Sequence, residues 1–272
     1  QDTVVKAMRA RSVGSYGLEC EHAVAVHVGA PHAPEVLGWM QGDDERDVPS
    51  ILVVEDLSAA TWGTPLDAAR VRGLRTALDH VESVVPPVGI RRLEGREPWT
   101  GRGWEPLLDR PDELVALELV DPAWLDRYGA ALVAAADSVD PSGDGLVHGD
   151  LWLQNWCSRM GGATLIDWTA AAVGNPRINH AWAECGVRAG AGPVGLVLGP
   201  DDPEHDAWAA WMAGLACSFV ALDEFDRAAH ARLHRTQLRE AIASLEWACD
   251  ALDLPLPVGV DALRVEIGPW EP

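Results

Sequence analysis

Leu146-Val-His-Gly-Asp-Leu-Trp-Leu-Gln-Asn-Trp156 and, a short gap later, Leu165-Ile-Asp-Trp168 are the residues on which the fold turns. In each, an apolar pair (Leu146 and Val147; Leu165 and Ile166) runs into an acid, the pattern of a short buried strand that delivers a carboxylate to the edge of a core. Asn155 stands five residues after Asp150, and Asp167 seventeen after it. Met160-Gly-Gly-Ala163 reads as a tight turn, so the expected order is strand, loop, strand, turn, strand. Two hard oxygen ligands and one separately held carboxylate are what phosphoryl transfer needs. Asn155 and Asp167 can hold Mg²⁺ on nucleotide phosphates, which leaves Asp150 to orient an acceptor hydroxyl.

Protein kinases carry the same order: His-Arg-Asp, an Asn five residues after that Asp, then a metal-binding Asp. Here Gly149 takes the middle place, and Asp167 is followed by Trp168. His-Gly-Asp-Leu-x-x-x-Asn with Ile-Asp-Trp resembles the aminoglycoside phosphotransferase family, small-molecule kinases with the protein-kinase fold. The resemblance runs from about Val4 to Leu254. It implies an α+β, bilobal, protein-kinase-like fold with a small antiparallel β-sheet lobe (1–57, hinge included) and a larger, mainly helical lobe (58–272). It also implies a donor, ATP or GTP with Mg²⁺, and an acceptor that is an aminoglycoside or another small hydroxylated molecule, with antibiotic resistance as one role.

The bulk properties set bounds. The 272 residues bury a sizeable core as one large domain or two modest lobes. No apolar run reaches the length of a membrane span, and no basic-then-apolar start marks a secretory signal. Cys20, Cys157, Cys185, Cys217 and Cys249 are scattered without C-x-x-C spacing, as reduced core thiols of a cytoplasmic protein would be. A net charge of −21 argues against nucleic acid as a partner. It suits a cationic acceptor, and equally a plain acidic surface.

Of the 21 basic residues, 20 are Arg, and the one lysine is Lys6 in Thr3-Val-Val-Lys-Ala-Met8. A β-branched run with a lysine resembles the third strand of the kinase small lobe, where a compact ammonium reaches the α- and β-phosphates. Gly17–Val28 reads as a helix with Ser12 and Ser15 as candidate caps. By the resemblance, a glutamate on it pairs with Lys6. Glu19 and Glu21 lie on different faces, so only one can do so. Glu19 is the expected partner, since it sets Ala23 and Val26 on the packed side.

Residues 33–39 and 50–57 read as strands around an acidic loop at 41–47. Val54-Glu-Asp-Leu57 resembles the family's hinge, so the Glu55 carbonyl and the Leu57 N–H would meet the adenine. A helix is expected over 65–85, with Val71, Leu74, Leu78, Val81 and Val85 inward. Residues 91–111 lack periodicity. A second helix over 122–138 is expected to pack Trp124, Tyr128, Ala131 and Ala135.

Beyond Asp167 the family's Gly-x-Pro-x-x-Asp becomes Gly174, Pro176 and Asn179, with Asn179 expected as a helix N-cap. The rest reads as two helices with stripes through Trp208–Leu222 and Leu238–Leu252. Asp201, Asp202, Glu204, Asp206, Asp223, Glu224 and Asp226 are candidate contacts for ammonium groups. Trp152 and Trp156 are candidate platforms for a substrate ring. The family's first two strands and its phosphate-covering loop have no counterpart before Lys6, and are expected in a longer parent. Two rival readings stand: a weak or inactive nucleotide-binding protein of the same fold, and a metal-dependent hydrolase using His148, Asp150 and Asp167 as ligands.

Overall fold

A computed structural model describes residues 3–8, 14–43, 45–93, 103–160, 162–222 and 230–268. Its contacts divide the chain into two compact units, Gln1–Gly95 with Pro141–Ala183, and Arg96–Asp140 with Glu184–Pro272. The lobe boundary expected at residue 57 lies inside the first unit.

The first unit opens with β1 (Thr3–Met8), α1 (Gly14–Val28), β2 (Val36–Met40) and β3 (Ser50–Glu55). The strands form one antiparallel sheet in the order β1-β3-β2. Lys6 stands opposite Leu52 in the ladder. Cross-strand partners share a face, so Lys6 faces the side on which Leu52 and Val54 pack against Leu18 of α1. α1 begins at Gly14, so Ser15 lies inside the helix; Ser12 is outside the described residues.

A short β4 (Thr61–Trp62) leads to α2 (Ala68–Ser83). Asp67 caps α2, its Oδ1 accepting from the N–H groups of Ala69 and Arg70 at 2.9 and 2.8 Å. Val71, Leu74, Ala77, Leu78 and Val81 are buried at helical spacing. Each large member of that stripe is worth about 1.5–3 kcal/mol of transfer free energy. Val85 lies past the helix end and is exposed, so it is not part of the stripe.

β5 (Gly145–Val147) pairs with β8 (Ala172–Gly174), while β6 (Trp156–Arg159) and β7 (Gly162–Leu165) form a hairpin that joins β4 in a second sheet. The Asp150 and Asp167 loops therefore leave strands of different sheets. α6 (Arg177–Ala189) follows, and the Asn175 side chain accepts from the Arg177 N–H at 3.0 Å.

The second unit holds α3 (Trp104–Asp109), α4 (Pro111–Val115), α5 (Pro122–Asp137), α7 (His205–Leu222), α8 (Ala231–Ala251) and α9 (Gly259–Ile267). Of the stretch read as aperiodic, the described part thus holds α3 and the first residue of α4, and 94–102 lies outside the described residues. α5 buries Trp124, Leu125, Gly129, Leu132 and Ala136. The expected face turns by one residue: Trp124 is buried, but Ala131 is exposed. One helical position is about 100° of rotation, and the winning stripe carries the two leucines.

α7 is buried nearly all round, the mark of a central helix. Gly214 admits Trp104, whose Nε1–H donates to Ala210 O at 2.8 Å. A Cβ at Gly214 would stand 2.7 Å from Trp104 Cδ1. Asp201, Glu204 and Asp206 are exposed and Asp202 half-buried, while Asp223, Glu224 and Asp226 lie outside the described residues.

Candidate active site

Four segments of the first unit meet around Asp150. His148 is wholly buried and packs against Trp168, ring centroids 4.4 Å apart and planes tilted by 41°. Its Nδ1 accepts from the Asp150 N–H at 3.3 Å, and its Nε2–H donates to Ile166 O at 2.9 Å. A backbone N–H only donates and a carbonyl only accepts, so this pair of contacts requires the neutral Nε2–H tautomer. Burial acts the same way, pushing the imidazole pKa down to about 4. His148 thus ties the backbone of Asp150 to that of the residue before Asp167. With both nitrogens engaged it cannot be the metal ligand that a hydrolase would require.

The amide of Asn155 makes the second tie. Its Nδ2 donates to Asp150 O at 2.7 Å and to Asp150 Oδ2 at 3.1 Å, and its backbone carbonyl accepts from the Ile166 N–H at 2.9 Å. Because Nδ2 faces Asp150, the Oδ1 oxygen is turned away as a hard acceptor. Asp150 titrates high, at about 6: burial raises it most, the Asp167 charge adds to this, and the Asn155 hydrogen bond opposes both.

Asp167 sits at φ 62°, ψ 58°, a left-handed conformation that Asp tolerates better than most residues. Thr169 Oγ1–H donates to its Oδ1 at 2.9 Å. Lys6 Nζ lies 3.8 Å from the same oxygen. On its other side the ammonium donates to Glu21 Oε1 at 2.6 Å. Glu21 is buried, which raises its carboxyl pKa, while the Lys6 contact pulls it back down.

The expected Lys6–Glu19 pair is therefore corrected to Lys6–Glu21. The buried stripe of α1 is Leu18, Glu21, Val24, Ala25 and Val28, whereas Val26 of the competing stripe is 55% exposed. Glu19 is half-buried and turned off that face.

Two further residues shape the loop. Gly149 has φ 79°, and a Cβ there would collide with the Ala170 carbonyl, so glycine is required between His148 and Asp150. Asn179 is not an N-cap. It is buried within α6, its Oδ1 accepting from the His148 N–H and its Nδ2 donating to Leu146 O, both at 2.8 Å. An aspartate could accept but not donate, so an amide fits this two-sided role.

Glu55 and Leu57, the residues expected at the hinge, are both buried. Glu55 Oε1 accepts from Arg159 at 2.6 Å and from the Glu35 N–H at 3.0 Å, and the Arg159 hydrogen bond above all holds its carboxyl below the usual range. Leu57 O accepts from the Ala60 N–H and from Trp62 Nε1–H, each at 2.9 Å. Beside this segment lies a cleft of about 520 Å³ bordered by Asp56, Leu57, Arg70 and Arg159. Its lining includes none of Lys6, Asp150, Asn155 and Asp167. Trp152 packs edge-on to Trp182, and Arg70 lies over the Trp156 ring. Both tryptophans are core residues, not platforms for a substrate.

The donor set fits a hard divalent cation: Asn155 offers an amide oxygen directed away from its hydrogen-bonded nitrogen, and Asp167 a half-exposed carboxylate. The sequence pattern of the phosphotransferase enzyme family matches residues 8–183, well over half of the chain. This chain belongs to the phosphotransferase enzyme family. Like its relatives, it is a small-molecule phosphotransferase. Among solved structures, an aminoglycoside phosphotransferase from Alicyclobacillus acidocaldarius is 14% identical at a TM-score of 0.50, over 97% of this chain and 86% of that one. A choline/ethanolamine kinase family protein from Mesorhizobium loti is 15% identical at a TM-score of 0.52, over 97% and 87%. At such identities the likeness is one of fold, the α+β protein-kinase-like fold. No curated protein sequence matches the chain. Among the described residues, no helix is long and apolar enough to cross a membrane.

Proposed function

We propose that this phosphotransferase moves the γ-phosphoryl group of ATP or GTP, with Mg²⁺, to a hydroxyl of a small polar acceptor such as an aminoglycoside or another hydroxylated antibiotic. The observation that carries this reading is the closed ring of contacts from Asp150 through Asn155 and Ile166 to His148 and back. It fixes one carboxylate against the Asn155 amide nitrogen, with that amide's oxygen turned the other way, and leaves a second carboxylate, Asp167, next to Lys6.

Asp150 orients the acceptor hydroxyl and takes its proton late in a loose transition state, where alignment counts for more than basicity. Asn155 and Asp167 would hold Mg²⁺, and a cation there would supply positive charge to offset that of the phosphates. Lys6, braced by Glu21, holds the α- and β-phosphates, and the Glu55 carbonyl and Leu57 N–H receive the adenine. The net charge of −21 is compatible with a cationic acceptor and offers nothing to nucleic acid or an anionic membrane. Five free, buried cysteines suit a reducing, cytoplasmic setting.

The deciding experiment measures Mg²⁺-dependent phosphate transfer from ATP and from GTP to a panel of aminoglycosides, nucleoside antibiotics, amino sugars and choline-type amino alcohols. Phosphorylation of one acceptor class is expected. Nucleotide binding without transfer to any acceptor would favour a non-catalytic role.

The Lys6 brace gives a separate prediction. Glu21→Gln should lower kcat/KM about tenfold, on the order of 1.4 kcal/mol, mostly through nucleotide KM. Glu19→Gln should stay within about twofold of the parent, as surface changes usually do. Equal effects at the two positions would remove Glu21 from the nucleotide site.

A further inference from the structure

We propose that Asp79, Glu82 and His180 form a second metal site, for a divalent transition metal of the zinc class, on the first unit. The site shares no residue with the Asp150 centre. Asp79 and Glu82 stand three apart on α2 and so project from one face. His180 comes from α6. One ligating atom from each of the three lies within 4.8 Å of the others, and His180 Nε2 is 3.5 Å from Glu82 Oε2.

That last distance matches the edge of a tetrahedron with bonds of about 2.0–2.1 Å, roughly 3.3–3.5 Å. Asp79 has to move inward slightly, and its side chain is exposed enough to do so. The Arg75 Nε–H donates to Asp79 Oδ1 at 2.9 Å, but an exposed pair one turn apart is weak, and the second carboxylate oxygen can serve the metal.

The ligand chemistry sets the metal class. His180 is 1% exposed, so its imidazole is held rigidly at the inner end of the site while the two carboxylates close it from the solvent side. One borderline-soft nitrogen with two carboxylates favours Zn²⁺ over Mg²⁺ or Ca²⁺, which prefer oxygen alone. A metal here ties α2 to α6 next to Asn179, whose amide clamps Leu146 and His148 two residues ahead of Asp150. Its effect is therefore a brace on the catalytic loop from outside the reaction centre.

The test is calorimetric titration of Zn²⁺ into the metal-stripped full chain with Mg²⁺ in excess, beside thermal melting with and without Zn²⁺. One Zn²⁺ per chain and a raised Tm are expected. Glu82→Gln, an exposed change that leaves the core intact, should weaken binding about tenfold or more and abolish the Tm rise, as should His180→Gln. Asp167→Asn should leave Zn²⁺ binding unchanged. No saturable binding, binding indifferent to Glu82→Gln, or binding lost in Asp167→Asn would each overturn the site. None of these outcomes depends on phosphoryl transfer.

Discussion

Asp150→Asn is expected to lower turnover a hundredfold or more, on the order of 3 kcal/mol of transition-state stabilisation, while nucleotide affinity barely moves. The substitution keeps the shape of the side chain and its place beside Asn155, and removes only the ability to accept a proton. Near-normal turnover would take Asp150 out of the chemistry.

The pH profile supplies an independent check on the same group. Burial and the Asp167 charge disfavour the ionised form, so the Asp150 pKa rises from 3.8 to about 6. Only the ionised form can accept the hydroxyl proton, so kcat/KM should fall as pH drops through about 6, an acid limb well above that of an ordinary aspartate. Positive charge near Asp167 opposes the shift, so raising Mg²⁺ should move the limb lower. A flat profile between pH 5 and 7 would contradict the assignment, on the scale set by ordinary carboxylates near 4.

Asp167→Ala is expected to abolish the Mg²⁺-dependent part of nucleotide binding and to leave affinity in chelator unchanged. Titrating nucleotide with and without metal reads this directly. Equal affinity in the two conditions for parent and variant alike would sink the metal role. Because Asp167 is left-handed at φ 62°, alanine also adds backbone strain there. Asp167→Asn is the cleaner partner experiment: it tolerates that conformation, can still accept from Thr169, and removes the charge. Loss in both variants with unchanged Tm in the asparagine form separates metal binding from folding.

The centre was legible in sequence to the extent that its contacts are local. Asp150, Asn155 and Asp167 lie within one short run of strands and turns, so apolar pairs and fixed offsets place them together with no knowledge of the rest. Lys6 could be read because strand pattern and composition coincide at one position. Glu21 could not be separated from Glu19 by pattern, because both candidate faces of α1 carry apolar residues. The choice was made by Leu18 packing on Leu52 and Val54, a long-range event. The same cause turned α5 by one residue, where Leu125 and Leu132 met the core in place of Ala131. Asn179 was visible as a departure from the family acid, yet its clamp on Leu146 and His148 spans more than thirty positions and leaves no local trace.

Sequence alone therefore determined the chemistry on offer: a carboxylate, an amide and a second carboxylate in a kinase-like order, with one ammonium kept for them. Side-chain type and short-range spacing are enough for that, because strands and turns fix where nearby residues point. Tertiary structure decided which acid braces Lys6, which tautomer His148 holds, why position 149 must be glycine, and that His180 meets Asp79 and Glu82. Those outcomes depend on which faces of distant elements exclude water against one another, and burial is a property of the whole fold that no single stretch of chain contains.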